Sequence, residues 1–391
     1  MVAFNRNQNT LAKFYSEDQT QHANLAAADW QIETIDSGTE VGVYSSLALD
    51  SSGYPHIAYI DGGSDPDSVM DDSLSYAYKD SQGWQVQSVP IGLVEDEYAY
   101  GETSIAVDPQ GYPHISFLLY DMISSSPKTY AWYLAYAYQD GSGWHVDDHI
   151  DQVSLILHTS IALYGSCPRI GYFSTDDYHL HYSYKDGAGW HKETADSEGG
   201  VGSHVSLKLD DQDNPFLAYA RDKTSADDLL MTNKDGSGWH PIEVDTAGDV
   251  GKWASLALYK NQYASISYGD DSDPNSIFLK YAYQDAQGWH KQTVDNQASV
   301  GKYTSLGLIQ NGEAQISYYD DQNQDLKFAM QTLNGWLVES VDTAGQVGKY
   351  SSLALDPFGG VHIAYYDETN GALKYAKQTM FGIYLPFVTR E

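Results

Sequence analysis

Residues 342–379 read DTAGQVGKYSSLALDPFGGVHIAYYDETNGALKYAKQT and decide how the rest of the chain is interpreted. They contain three short runs, at 351–356, 361–367 and 373–378, in which large and small side chains alternate. A period of two residues is the signature of a β-strand with two different faces. Gly, Pro and Asn between the runs supply turns. The stretch therefore predicts three antiparallel strands joined by short connections.

Versions of these three runs recur seven times along the 391 residues. The first run carries a serine in every copy: Ser46, Ser104, Ser160, Ser206, Ser255, Ser305 and Ser352. A fourth run begins at a tryptophan, usually after a glycine, and also occurs seven times: Trp30, Trp84, Trp144, Trp190, Trp239, Trp289 and Trp336. Repeated units of this length with four β-type runs are typical of propeller blades or another closed β array.

The order of the runs indicates a closed ring. The first tryptophan run, at 30–36, precedes the first complete unit, and the last unit has no fourth run of its own. Seven blades are complete only if 30–36 pairs with the third run of the last unit, which also removes an open sheet edge. We therefore predict an all-β fold, a seven-bladed β-propeller of four-stranded antiparallel blades at 30–379. Residues 1–29 are expected to form a partly mobile N-terminal arm, and 380–391 an apolar C-terminal tail.

The repeat, typified by VGKYSSLALD…GGVHIAYYD…LKYAKQT, resembles those of sialidase-like bacterial propellers more than those of the WD type. The Trp-Asp ending and the Gly-His signal of the WD type are absent. A clear S-x-D-x-G-x-T-W box is absent too, so the chain departs from the sialidase pattern. The resemblance covers about 30–379 and implies the fold, which hosts many different activities.

Acidic side chains dominate the charge. Asp and Glu total 54 against 21 Lys and Arg, and the formal net charge is −33. Because phosphate groups are bound by basic surfaces, this balance argues against a nucleic acid or an anionic membrane as partner. It is typical of a well-solvated acidic surface, of cation binding, or of both.

The compartment is predicted from composition alone. Cys167 is the only cysteine, which excludes an intrachain disulfide. No run is long enough to span a membrane, and 1–25 lacks the apolar segment of a signal peptide. We expect an extracellular or cell-surface protein without membrane insertion, in the form of a mature chain with an added Met. A cytoplasmic protein is the alternative.

Seven equivalent positions lie two residues before the repeated serine. They are Tyr44, Glu102, His158, His204, Trp253, Tyr303 and Tyr350. At the starts of the innermost strands they should ring the upper mouth of the central channel. Such a ring can stack on a sugar or a peptide and hydrogen-bond it. Interblade packing is the preferred interpretation for the three tyrosines, whereas Glu102 and the two histidines depart from the repeat and are the stronger ligand candidates.

The connections between second and third runs are longest in blades one and two, on the same predicted face as the ring. The segments in and around these connections carry four further ligand-binding candidates: Tyr98, Tyr100, Tyr130 and Trp132. Loops on a rigid scaffold often bind ligands, and neutral variation of surface loops is the alternative.

The first of the two connections also holds four acidic residues: Asp65, Asp67, Asp71 and Asp72. They could bind calcium through carboxylate oxygens, but their spacing is not that of an EF-hand and a solvated acidic loop is preferred.

These observations predict a non-enzymatic binding propeller that recognises carbohydrate or another extracellular ligand through the top-face loops of blades one and two and the channel mouth. No cofactor other than calcium is expected, and no catalytic constellation is recognised. The first alternative is a polysaccharide lyase or glycosidase that uses His158, His204, Tyr100 or Glu102 for acid–base chemistry. The second is a structural or assembly module that self-associates through 380–391.

Overall fold

A computed structural model confirms the predicted propeller. It describes residues 29–62, 73–91, 97–125, 128–153, 156–222, 226–260, 262–297 and 299–379. Within these ranges the chain forms seven antiparallel sheets, and no helix there is long and apolar enough to cross a membrane. Residues 1–28 of the predicted arm and all of the tail 380–391 lie outside the described residues.

The four strands of each blade are described here from the channel outwards. The innermost strands are β2 (Val41–Leu49), β6 (Glu97–Val107), β10 (Ile156–Tyr164), β14 (Val201–Leu209), β19 (Val250–Tyr259), β23 (Val300–Leu308) and β27 (Val347–Leu355). The second strands are β3 (Pro55–Asp61), β7 (Pro113–Ser125), β11 (Cys167–Ser174), β15 (Pro215–Arg221), β20 (Tyr263–Asp273), β24 (Ala314–Asp320) and β28 (Val361–Asp367).

The outer half of each blade is a hairpin. The third strands are β4 (Ser73–Asp80), β8 (Lys128–Asp140), β12 (His179–Asp186), β16 (Asp228–Asp235), β21 (Ser276–Asp285), β25 (Asp325–Thr332) and β29 (Ala372–Thr379). The outermost strands are β1 (Asp29–Ser37), β5 (Gly83–Ser88), β9 (Gly143–Val153), β13 (Gly189–Asp196), β17 and β18 (Gly238–Trp239 and Ile242–Asp245), β22 (Gly288–Asp295) and β26 (Gly335–Asp342). Pro241 separates β17 from β18, since proline has no N–H for a strand ladder.

The N-terminal strand closes the ring. The last sheet has the order β1-β29-β28-β27, with Asp29 opposite Thr379 and Ser37 opposite Ala372. Strand β1 therefore covers the outer edge of β29, which would otherwise expose unpaired backbone groups. The predicted pairing of 30–36 with the last unit is confirmed.

Alternating side chains of the innermost strands pack against different neighbours. Leu47 belongs to a core shared with the last blade, whereas Ala48 contacts the core shared with the second blade. A buried tyrosine of the second strand also donates a hydrogen bond to an aspartate of the preceding blade. This contact recurs in six blades: Tyr59–Asp36, Tyr172–Asp151, Tyr219–Asp196, Tyr268–Asp245, Tyr318–Asp295 and Tyr365–Asp342.

The repeated serines form a belt around the channel, which we call the serine belt. Each Oγ accepts the backbone N–H of the residue after the belt serine in the next blade, as in Ile105 N to Ser46 Oγ at 3.1 Å. The remaining six bonds measure 2.9–3.0 Å and join the blades in order to Leu47 N and Ser352 Oγ. The seven innermost strands are thus tied edge to edge near the axis, where the functional candidates lie.

Candidate functional site

Each innermost strand bulges immediately before the serine belt. In blade one the ladder passes from Val43 opposite Ile60 to Ser46 opposite Ala58, which leaves Tyr44 and Ser45 facing a single residue of β3. A bulge bends its strand and re-aims a side chain. At Tyr44 it brings the aromatic ring into the lining of the channel mouth.

Five of the seven predicted ring positions have a left-handed backbone. Their φ angles are 54° at Tyr44, 54° at His204, 54° at Trp253, 51° at Tyr303 and 54° at Tyr350. Bulky side chains rarely adopt this conformation, which costs about 1–3 kcal/mol for each residue. In blade two the strain is avoided, because Gly101 takes the positive φ of 70° and Glu102 follows it.

All seven ring residues are half-buried, and together they line one cavity of about 170 Å³ at the channel mouth. Six successive contacts run around it. They are Tyr44–Tyr350 at 4.6 Å, Tyr350–Tyr303 at 4.7 Å, Tyr303–Trp253 at 6.0 Å, Trp253–His204 at 5.5 Å and His204–His158 at 4.3 Å between ring centroids, and His158 Nδ1–Glu102 Oε1 at 2.8 Å. The ring of candidates that the repeat predicted is therefore one continuous surface.

The tyrosines of the mouth stay protonated at neutral pH. Burial, with smaller contributions from nearby Tyr100 and Glu102, raises the pKa of Tyr44 to about 12. Burial also raises the pKa values of Tyr303 and Tyr350. Each phenol can therefore donate a hydrogen bond to a ligand as well as accept one.

The histidines introduce acid–base character on one side of the mouth. Burial, together with the nearby charges of His158 and Lys252, holds the pKa of His204 well below its usual range. His204 is therefore a neutral imidazole that can accept a proton or a hydrogen bond. His158 Nδ1 lies at ion-pair distance from Glu102, but outside hydrogen-bond geometry, so this nitrogen has no hydrogen-bond partner among the described residues.

Three lysines precede ring residues, and each is paired with acids. Lys252 Nζ lies 2.9 Å from carboxylate oxygens of both Asp249 and Asp271. Lys302 pairs with Asp321 at 2.7 Å, and Lys349 pairs with Glu368 at 2.6 Å. These ammonium groups are neutralised within the protein and add little positive charge to the mouth.

Blade two carries a second group of aromatic side chains on the top face, which we call the blade-two platform. It consists of Tyr100, Tyr120, Tyr130 and Trp132. Ring centroids are 4.6 Å apart for Tyr120–Tyr130, 4.2 Å for Tyr120–Trp132 and 5.1 Å for Tyr100–Trp132. All four side chains are half-buried. Tyr98 lies opposite Tyr120 in the β6–β7 ladder, on the same row.

The prediction of a long loop at this place was wrong. Strands β7 and β8 continue to Ser125 and Lys128, so that Tyr130 and Trp132 belong to a strand. The alternating aromatic residues favour the pleated conformation because cross-strand aromatic pairs stabilise it. Trp132 pairs directly with Tyr120 in this extended ladder.

Sequence reasoning missed Tyr120, because it occupies a regular position of the second run. It would have been found by extending the strand alternation beyond Asp121, which places Tyr120 opposite Trp132. His149 was missed too, and it lies 4.0 Å from Tyr133 between ring centroids. Burial lowers the pKa of His149, but hydrogen bonds and charges of Asp148 and Asp121 outweigh it and raise the pKa above its usual value.

The predicted calcium ligands lie outside the described residues, at 63–72. Among the residues that the structure describes, no group of three or more His, Cys, Asp or Glu could hold a metal ion.

Solved structures resemble this chain in fold. No family model matches the chain, and no curated protein matches its sequence. A protein of unknown function from Dyadobacter fermentans is 9% identical, with a TM-score of 0.53 over 89% of this chain and 98% of that one. Hydrazine synthase of Kuenenia stuttgartiensis is 11% identical, with a TM-score of 0.52 over 87% and 97%. Polysaccharide lyase Uly1 is 8% identical, with a TM-score of 0.54 over 85% and 88%.

Proposed function

We propose that this propeller is a non-enzymatic, extracellular or cell-surface protein that binds carbohydrate on its top face. The observation that carries the proposal is the continuity of the aromatic surface. It begins at Tyr130 on the blade-two platform and continues through Tyr120 and Trp132 to Tyr100. Tyr100 lies two residues before Glu102 on β6, so the platform adjoins the channel-mouth ring at Glu102.

The chemistry of this surface suits a sugar chain. Aromatic faces pack against the C–H faces of sugar rings and bury apolar area. The protonated phenols, the neutral imidazole of His204 and the carboxylate of Glu102 can hydrogen-bond hydroxyl groups. A concave site with an apolar wall and a few converging polar groups is the usual form of a small-ligand site.

Charge favours neutral glycans over acidic ones. Glu102 lines the mouth, and the lysines that precede ring residues are already paired with carboxylates. The net charge of −33 would also repel a polyanion at long range. We therefore expect neutral oligosaccharides to bind more tightly than uronate- or sialate-containing chains.

The test is a glycan array on the full chain, followed by calorimetric titration of the best ligand. Trp132→Ala and Tyr100→Ala should each weaken binding about tenfold, since stacking contributes roughly 0.5–1.5 kcal/mol beyond area burial. Tyr164→Ala is the matched control, because Tyr164 is 48% exposed at the other end of an innermost strand. Binding to no glycan, or equal effects of Trp132→Ala and Tyr164→Ala, would count against the proposal.

A polysaccharide lyase or glycosidase is the second candidate, and one observation favours it. Glu102, His158 and His204 lie in successive contact at the mouth, so that a carboxylate and two imidazoles could transfer protons to and from a bound sugar. Release of unsaturated or reducing ends, abolished by His204→Ala and retained by Tyr164→Ala, would support catalysis. Binding without turnover of any bound glycan would support the binding function.

A further inference from the structure

The walls of the central channel change below the serine belt. There the channel widens into a cavity of about 510 Å³ lined by Ala, Gly, Leu, Ile and Val side chains from all seven blades. Lys208 is the one polar side chain among the described residues that line it. At the same position of the repeat, two residues after the belt serine, five blades have alanine and one has glycine: Ala48, Ala106, Ala162, Ala257, Gly307 and Ala354.

Lys208 has no acidic partner among the residues that the structure describes. Asp210, two residues further along the chain, accepts the backbone N–H groups of Gln212 at 2.9 Å and Asn214 at 2.8 Å instead. Burial lowers the pKa of the Lys208 ammonium, and no carboxylate offsets this effect. The side chain is nevertheless solvent-accessible, since it faces the channel. An unpaired ammonium is unexpected in a chain with 54 acidic residues.

The serine belt lies one layer above Lys208. Ser206 and Lys208 are two positions apart on one strand, so they point to the same side at a spacing of about 7 Å. Each belt oxygen accepts a backbone N–H and still carries its own proton. No acceptor for these protons is found among the described residues, so the belt can donate hydrogen bonds towards the channel.

We propose that the lower channel binds a small organic monoanion, with its carboxylate on Lys208 and the belt hydroxyls and its alkyl chain against the apolar wall. The ammonium and the hydroxyls supply the charge-assisted hydrogen bonds that a carboxylate needs. The alanine and leucine side chains bury the alkyl chain, which water would otherwise surround. This site is separate from the glycan surface of the top face and does not depend on it.

Titration calorimetry of the full chain with straight-chain carboxylates tests the proposal. Affinity should rise about fourfold for each added methylene from propionate to hexanoate, because a buried methylene contributes roughly 0.8 kcal/mol. Hexanamide, which has the same chain and no charge, should bind about tenfold or more weakly than hexanoate. The proposal would be overturned if chloride or hexanamide bound as tightly as hexanoate.

Relocating the lysine separates recognition from packing. Lys208→Ala restores the residue of five other blades and should fold, with an unchanged near-ultraviolet circular dichroism spectrum and loss of hexanoate binding. Adding Ala162→Lys returns an ammonium to the same level of the channel one blade away, and binding should recover. Retained binding in Lys208→Ala, or no recovery in a folded double variant, would overturn the assignment to Lys208. The single variant Lys260→Ala, at an exposed turn, is the control for loss of one charge.

Discussion

At the residue scale, the channel mouth is built from bulky side chains held at positive φ. A φ angle of 51–54° recurs in five blades, and in a sixth Gly101 takes a positive φ of 70°. The strain is therefore a property of the bulge, and the bulge is what places these side chains around the axis. A residue without a Cβ would adopt the conformation freely.

Tyr303→Gly should be more stable than Tyr303→Ala. Both variants remove the aromatic ring, but alanine keeps the cost of a left-handed backbone, about 1–2 kcal/mol, which glycine avoids. In an ordinary strand the order is reversed, with glycine about 0.5–1 kcal/mol worse than alanine. Urea unfolding of the two variants measures the difference in their free energies of unfolding and shows which is more stable. An alanine variant as stable as the glycine variant would show that the bulge is not strained.

His362 should make the protein less stable in mild acid. It is 1% exposed, and burial, with a smaller contribution from Lys377, lowers its pKa to about 4. In the unfolded chain His362 has a pKa near 6.5 and therefore binds more protons than in the folded state between pH 6.5 and 4. The stability that neutral His362 contributes is therefore present above this window and is lost as the pH falls through it. The loss attributable to His362 should be about 2 kcal/mol between pH 7 and 5.

Urea unfolding of the wild type and of His362→Gln, each at pH 7 and at pH 5, measures the loss of stability on acidification. Blade six carries Gln315 at the equivalent position, so glutamine fits the local packing. The variant should lose about 2 kcal/mol less than the wild type on acidification. Equal losses would mean that His362 does not titrate in this window.

At the element scale, neighbouring blades are joined by buried polar contacts near the outer strands. Asp295 of β22 accepts hydrogen bonds from Tyr318 and Lys327 of the next blade, both at 2.7 Å, and both charged side chains are 5% exposed. The lysine also holds the pKa of Asp295 below its usual range against the opposing effect of burial.

Lys327→Met should cost about 3–5 kcal/mol of unfolding free energy, because it leaves the Asp295 charge buried without its partner. Lys302→Met is the matched control. Its ion pair with Asp321 has the same 2.7 Å length but side chains 25% and 40% exposed, and removal of such a pair costs about 1 kcal/mol or less. Denaturant titration of both variants gives the comparison, and similar losses would contradict the role assigned to burial.

At the scale of the whole molecule, stability depends on closure by β1. A chain that begins at residue 38 should melt at a lower temperature and self-associate, because the edge of β29 is then exposed. A chain that begins at residue 29 retains β1 and serves as the control. Calorimetry and light scattering measure both effects. Identical melting and mass for the two chains would contradict closure by this strand.

Sequence alone predicted the repeat, the number of blades, the closure and the ring of seven mouth residues. Strand alternation and the recurrence of tryptophan are local signals, and positions that are equivalent in a closed repeat become neighbours around its axis. This is why the repeat alone places His158 and Glu102, which belong to adjacent blades, next to each other around the channel. Their contact at 2.8 Å follows from the same symmetry.

Tertiary structure decided what local signals do not contain. Tyr120 joined the blade-two platform because β7 and β8 extend beyond the regular repeat, and the extension depends on pairing between the two strands. Lys208 appeared in sequence as one polar residue of an alternating strand, a pattern that usually means solvent. In the ring the Lys208 side chain faces the channel, where apolar side chains of the other six blades surround the same cavity. Side-chain alternation is set within a strand, but the surroundings of each face are set only when the ring closes.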